Sequence, residues 1–348
     1  METTKIDIRK CTEDELKDIM KDLGEPAFRA KQVYEWMWKK GALKFDDMTN
    51  LSKALREKLS ENFIFNSLIL DKQQVSSDGT IKSRYKLHDG AMIETVLIPV
   101  PDDKRFTVCV SSQVGCSLSC KFCATGQMKR VRNLDASEIY DQISLTNQLC
   151  LETYDLPLTN IVYMGMGEPL LAYRPVLQSI EYITSDKGLA MSPRRITIST
   201  AGIAKMITKL ADEDIKCNLA LSLHAADDVK RNEIMPINEQ NNLEVLMESI
   251  EYFFSKTKNM IFFEYIAFDN FNLTREDANN LIKLCRIFPV KVNIIEYNPI
   301  DGVEFTRAPE QDVDAFAKMI RDAGIMVTVR RSRGKDIDAA CGQLANKE

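Results

Sequence analysis

From residue 106 onward, apolar strand-like runs alternate with helical stretches at the spacing of repeated strand–helix units. Strands are predicted at Phe106–Ser111, Asn160–Met164, Arg195–Thr200, Asn218–Leu223, Met260–Phe268, Val290–Tyr297 and Ile325–Arg330. Helical periodicity fills intervals between them, over Ala136–Leu149, Tyr173–Thr184, Leu243–Lys256 and Arg275–Arg286. A strand followed by a crossover helix returns parallel to its predecessor, so this alternation predicts a parallel α/β barrel or partial barrel. No repeat, low-complexity tract or long linker interrupts it.

The preceding sequence has a different texture. Thr12 and Glu15 form a Thr-x-x-Glu capping box, and Ala30–Trp38 and Leu51–Leu59 carry further helical periodicity, with Trp36 and Trp38 as packing residues. A β-meander follows at about Leu68–Val75, Ile81–Leu87 and Ala91–Val100, turned at Asp78-Gly79 and Asp89-Gly90. We therefore expect a helical unit at 1–66, a connecting meander at 67–104, a barrel core at 105–305 and a helix–strand extension at 306–348. Glu94 interrupts an almost apolar strand, and faces solvent unless function places it there.

Chemistry is concentrated at predicted strand ends. The first strand runs into Cys116, Cys120 and Cys123, spaced CxxxCxxC. Spacing alone leaves open an iron–sulfur cluster or a structural zinc. Zinc normally takes a fourth Cys or His, and the only histidines, His88 and His224, lie far away in sequence. Three thiolates on a four-iron cubane would leave one iron open to another ligand. The second strand ends at Met164-Gly-Met-Gly-Glu-Pro169, where glycines admit close backbone approach and Glu168 can accept hydrogen bonds from an amine or hydroxyl. Further strands end at Ser199-Thr-Ala-Gly202, Ser222-Leu-His224 and Tyr297-Asn-Pro299. In a parallel barrel, ligands bind at this end of the strands.

Composition narrows the class. The chain of 348 residues has no run of about 18 apolar residues. Its start, Met-Glu-Thr-Thr-Lys, lacks a signal-peptide pattern, and a soluble cytoplasmic enzyme, not a membrane protein, is expected. The nine cysteines do not resemble a secreted disulfide framework, and Cys11, Cys150, Cys217 and Cys285 read as ordinary packed or surface thiols. A net charge of −5 argues against whole-surface attraction to a polyanion. Basic runs at Lys121, Lys129, Arg130 and Arg132, at Arg194-Arg195, and at Arg330, Arg331, Arg333 and Lys335 allow local attraction.

Together these motifs resemble the radical S-adenosylmethionine superfamily, and then, more narrowly, the RlmN/Cfr family of RNA adenosine methyltransferases. Gly24-Glu-Pro-Ala-Phe-Arg-Ala-Lys-Gln32, Val108-Cys-Val-Ser-Ser-Gln-Val-Gly-Cys116, Phe122-Cys-Ala-Thr-Gly126, Met235-Pro-Ile-Asn238 and Asp336-Ile-Asp-Ala-Ala-Cys-Gly-Gln-Leu344 are similar to family signatures. The resemblance implies a partial (β/α)6-type barrel with a small helical domain and a meander extension. It implies a 4Fe-4S cluster on Cys116, Cys120 and Cys123, with S-adenosylmethionine held by Gly167, Glu168, Ser199, Ser222, Leu223, His224 and Asn298. It implies that Cys341 carries a methyl group, that Cys109 forms a transient disulfide with it, and that Glu94 accepts a proton. One S-adenosylmethionine would methylate Cys341; a second would yield the radical that activates that methyl for attack on adenine.

The implied product is C2-methylated adenosine in 23S rRNA and possibly tRNA, made by a monomer supplied with electrons by an external reductant. The helical unit and the basic runs are the candidates for RNA contact. Glu168-Pro-Leu-Leu171 and Phe263-Glu-Tyr265 resemble RlmN more than Cfr, which methylates C8. Lys129-Arg130 and Phe268-Asp-Asn-Phe-Asn272 depart from the commoner family pattern, which leaves open C8 chemistry or a paralogue acting on another RNA. A zinc-stabilised, non-catalytic RNA-binding protein is the alternative of another class.

Overall fold

The computed structural model describes residues 5–347. The amino-terminal unit starts with β1 (Ile6–Asp7), holds helices α1 (Glu13–Asp22), α2 (Arg29–Trp38) and α3 (Lys53–Asn62), and ends with β2 (Phe63–Ile64) parallel to β1. The Thr12 hydroxyl accepts from Glu15 N, and the Glu15 carboxylate accepts from Thr12 N at 2.7 Å, so the capping box forms. It satisfies donors that the first helical turn cannot pair internally. Trp38 is buried and stacks on Tyr182 with ring centroids 3.8 Å apart, tying this unit to the rest of the chain.

β3 (Ile69–Val75), β4 (Ile81–Lys86) and β5 (Met92–Val100) form the antiparallel meander, and β6 (Arg105–Cys109) pairs antiparallel with β5. Gly79 and Gly90 make its two turns at φ +84°, a conformation costly for a side-chain-bearing residue. After β6, the short strands β7 (Gln113–Val114) and β8 (Arg132–Asn133) pair across the neck of the cysteine loop.

Helix α4 (Ala136–Tyr154) then leads to β9 (Asn160–Tyr163), α5 (Tyr173–Thr184), β10 (Ile196–Thr200), α6 (Ala204–Ala211) and β11 (Asn218–Ser222). The chain continues through α7 (Asp228–Ile234), α8 (Leu243–Thr257), β12 (Ile261–Ala267), α9 (Arg275–Cys285), β13 (Lys291–Glu296), α10 (Glu310–Asp322) and β14 (Met326–Arg330). β6 and β9 through β14 pair in parallel, each with the next. The expected partial barrel is therefore present, and its sheet is longer than the barrel strands alone. Strand order β14-β13-β12-β11-β10-β9-β6-β5-β4-β3 makes one ten-stranded sheet that includes the meander.

β14 and β3 are the free edges of that sheet. The segment after β14 spans from one side to the other. Asp78 accepts from Gly334 N at 2.9 Å, and Asp336 accepts from Ser76 Oγ at 2.5 Å and Ser77 N at 3.1 Å. Arg84 donates to the carbonyls of Asn346 and Lys347. Among the described residues, no helix is long and apolar enough to cross a membrane.

Candidate active site

The expected site residues lie at the carboxyl ends of the parallel strands or on segments folded against them. Cys109 ends β6, Gly167 and Glu168 follow β9, Ser199 lies near the end of β10, and Ser222 ends β11. Leu223 and His224 come directly after β11; Asn298 follows β13. A parallel sheet brings these distant positions to one rim because every strand points the same way. Gly167 adopts φ +97°, and a Cβ there would collide with Gln113; a Cβ on Gly165 would sit 2.7 Å from the Val110 carbonyl. The loop can approach the first barrel strand only with glycine at both places.

Glu168 is buried. Its carboxylate accepts from Leu170 N at 3.0 Å and Ala201 N at 2.7 Å, while burial pushes the carboxyl up to about 7. A cationic amine placed against it would favour the ionised form. The His224 imidazole is also buried, and Nδ1 accepts from Ile266 N at 3.1 Å. Burial and the neighbouring Arg231 guanidinium lower its pKa to about 3. It is a neutral hydrogen-bonding group at working pH.

Arg231 was missed by sequence reasoning. Its buried guanidinium donates to Ala201 O at 2.6 Å, Leu223 O at 3.1 Å, Ser222 O at 3.2 Å and Asn238 Oδ1 at 2.5 Å. It braces the ends of β10 and β11 and gives a physical reason for Asn238 in the Met-Pro-Ile-Asn motif. Asn272, within the segment that departs from the family pattern, likewise donates to the carbonyls of His224 and Ile266. Asn272 thus braces the end of β12 against the turn after β11.

The three loop cysteines are half-buried and free. Burial pushes Cys116 up to about 11, and raises Cys120 and Cys123 as well. Backbone N–H groups of Leu118 and Ser117 act against this at Cys116, as do those of Gly126 and Thr125 at Cys123. Amides directed at sulfur suit thiolates on a cluster, whose formation must displace the thiol protons. Phe122, Ile266, Phe268, Ile295 and Tyr297 form a separate buried apolar group against Cys120 and Cys123. A Cβ on Gly126 would lie 2.9 Å from the Cys120 carbonyl oxygen, so this tight turn also requires its glycine. Thus the donor set and its dry surroundings fit a 4Fe-4S cluster.

The tertiary structure also joins residues that lie far apart in sequence. Cys341 lies exposed on the tail; desolvation raises its thiol pKa and the Arg330 guanidinium opposes that rise. Its charge would in turn raise the pKa of Cys109, and both thiols are free. Asn298 donates to Cys341 O at 3.4 Å and to Ser332 Oγ at 3.0 Å, and its Oδ1 accepts from Arg307. Ala124 N donates to Gly342 O at 2.7 Å, attaching the same tail to the cysteine loop. Glu94 is 1% exposed and meets the tail from β5, so the solvent-facing reading of this strand residue is excluded.

Several basic residues have structural partners. Arg132 pairs with Asp89 and Glu138, Arg331 with Glu296 and Asp314, and Lys335 with Glu296. Lys121, Lys129 and Arg130 remain exposed beside the cysteine loop.

A cysteine loop after the first barrel strand, a Gly-Glu turn after the second and a partial parallel barrel define a radical S-adenosylmethionine enzyme. Residues 110–285 match the Radical SAM superfamily, whose members use S-adenosylmethionine and a 4Fe-4S cluster. Residues 6–65 match the Ribosomal RNA large subunit methyltransferase N-terminal domain. The chain belongs to the RlmN family. It is 56% identical to a probable dual-specificity RNA methyltransferase RlmN of Cytophaga hutchinsonii, covering 100% of this chain and 96% of that protein. It is 51% identical to the corresponding protein of Flavobacterium johnsoniae, covering 100% and 99%. A crystal structure of a radical SAM methyltransferase from Sphaerobacter thermophilus superposes with a TM-score of 0.93 at 37% identity, covering 98% of this chain and 100% of that one.

Proposed function

We propose that the protein methylates C2 of an adenosine in 23S rRNA, and of an adenosine in tRNA, through an S-methylated Cys341. The observation that carries this reading is that the tail bearing Cys341 is bound to the cysteine loop, Ala124 N donating to Gly342 O, and that a charge on Cys341 would raise the pKa of Cys109, across more than two hundred residues of sequence. Cys116, Cys120 and Cys123 hold the cluster, and Gly167, Glu168, Ser199, Ser222, Leu223, His224 and Asn298 line the cofactor's place. When bound, the cluster and S-adenosylmethionine supply a carbon radical, with the electron drawn from an external reductant.

The chain's own residues do the rest. Glu168 offers a carboxylate to the cofactor's amine, and the neutral His224 offers a hydrogen bond without adding charge. The apolar group around Phe268 excludes water from a reactive radical. Cys341 carries the methyl group to the adenine, Glu94 takes the proton from C2, and Cys109 joins Cys341 in a disulfide that frees the product. The helical unit matched to the methyltransferase N-terminal domain, with exposed Lys121, Lys129 and Arg130, contacts RNA; the target base leaves its stack to reach Cys341.

Mass spectrometry of rRNA and tRNA from a strain lacking the gene tests this reading. Loss of 2-methyladenosine, restored by the wild-type chain, is expected. Unchanged 2-methyladenosine, or loss of the 8-methyl isomer instead, overturns the assignment of C2.

A further inference from the structure

Glu94 is engaged on both oxygens. Oε1 lies 3.3 Å from Lys82 Nζ, while Oε2 accepts from Ala345 N at 2.9 Å and from Asn346 N at 3.0 Å. The Ser111 hydroxyl fixes the backbone of Glu94 by donating to its carbonyl at 2.6 Å. Lys82 is itself buried on β4, and its other acceptor is the Asp338 carbonyl at 3.3 Å.

These donors differ in kind. The two on Oε2 belong to the tail that carries Cys341, whereas Lys82 belongs to the sheet. A carboxylate that takes a proton from a carbon must present an oxygen to that carbon, yet the tail covers Oε2 with two N–H groups. Substrate access to this oxygen therefore requires residues 345–346 to move off it. Lys82 is then the partner left, because Arg84, the next basic residue on β4, is committed to Asp71 and to tail carbonyls. A buried carboxylate without a donor is costly to keep charged, and only the charged form can accept the proton.

We propose that Lys82 is a positioning residue for the methyl-transfer reaction: it holds the Glu94 carboxylate aimed at the adenine after the tail has released it. In the step it supports, the C2–H bond breaks, its electron pair stays with the ring, and an O–H bond forms on Glu94. This inference rests on the reading of Glu94 as the proton acceptor.

The test compares full-length, cluster-containing Lys82→Met, Lys82→Arg and Glu94→Gln proteins on one RNA substrate. Single-turnover assays follow the covalent enzyme–RNA species and the methylated RNA released from it. Positioned acid–base groups contribute about 10²–10⁴-fold, so Lys82→Met is expected to slow release at least about tenfold. The covalent species accumulates, while its rate of formation and the KM for RNA hold. Lys82→Arg, which retains the charge, is expected to restore most of the release rate; a merely structural lysine gives no such split. If Lys82→Met does not retain iron, Lys82→Gln is read in the same way. Wild-type release by the neutral variant alongside a stalled Glu94→Gln overturns the role of Lys82. Wild-type release by Glu94→Gln overturns the reading of Glu94 instead.

Discussion

Side-chain burial controls charge throughout the site. The thiols of Cys109, Cys116, Cys120, Cys123 and Cys341 are all raised by desolvation, so none is a free thiolate until metal, cofactor or a neighbouring cation favours that form. His224 responds to the same burial in the opposite direction, being held neutral down to about pH 3. This gives a pH dependence with a definite sign. Below about pH 6.5 the unfolded chain binds a proton that folded His224 refuses, so its contribution lowers stability as pH falls from about 6.5 to about 3. The slope is at most about 1.4 kcal/mol per pH unit. His224→Gln retains an acceptor for Ile266 N and is expected to flatten the difference. Denaturant melts of both proteins across this range check it; equal slopes would refute the assignment.

At the element scale, one buried ion pair docks the amino-terminal unit on α4. Arg9, between β1 and α1, is fully buried and makes a bidentate contact with Asp141 at 2.6 and 2.7 Å, with further bonds to the carbonyls of Asn66 and Ser137. Trp38 and Phe65 lie within 5.2 Å of its guanidinium. Removing one partner of such a pair leaves an uncompensated charge, so Arg9→Leu is expected to lower stability by about 3–5 kcal/mol. An Arg9→Leu/Asp141→Leu double variant recovers part of this loss because no lone charge remains. Chemical denaturation of the four proteins in the cycle measures the coupling, and additive losses would show that the pair is not coupled.

The same pair illustrates what element-level sequence reading reaches. Period-two and helical patterns located the meander and every parallel strand of the ten-stranded sheet, since each pattern is local. The short helices α6 and α7 escaped because two turns sample the helical period poorly. Arg9, Lys82 and Arg231 gave no local signal: each is a buried cation whose partner lies on another part of the chain. The basic runs were only partly informative for a related reason. Arg132 and Arg331 resemble Lys129 in sequence, yet carboxylates brought to them by folding occupy their charge.

For the whole molecule, the segment after β14 unites the cysteine loop, the meander and the strand-end rim. A chain ending at Asp338 retains every strand of the sheet, the three loop cysteines and Arg231, but loses Cys341 and the tail's bonds to Ala124, Thr125 and Glu94. We expect it to fold and to bind about four iron and four sulfide per chain, the content of a cubane. It makes no methylated RNA, and its cluster decays faster in air because Gly342 no longer covers the Phe122–Cys123 segment. Iron and sulfide analysis with visible absorbance checks the first part. A colourless truncated protein would show that the tail is needed to assemble the cluster.

Strand–helix alternation is a local pattern, and it was enough for the sequence to determine a partial parallel barrel; the cysteine spacing and the Gly-Glu turn marked its strand ends, and the radical chemistry came from the family that these motifs resemble. Only the tertiary structure decided that the tail bearing Cys341 binds the cysteine loop, that Glu94 is buried under the tail, and that Lys82 is its sheet-borne partner. The physical reason is that proximity and burial arise when the segment after β14 packs across the sheet, whereas a motif records only the order of residues along the chain.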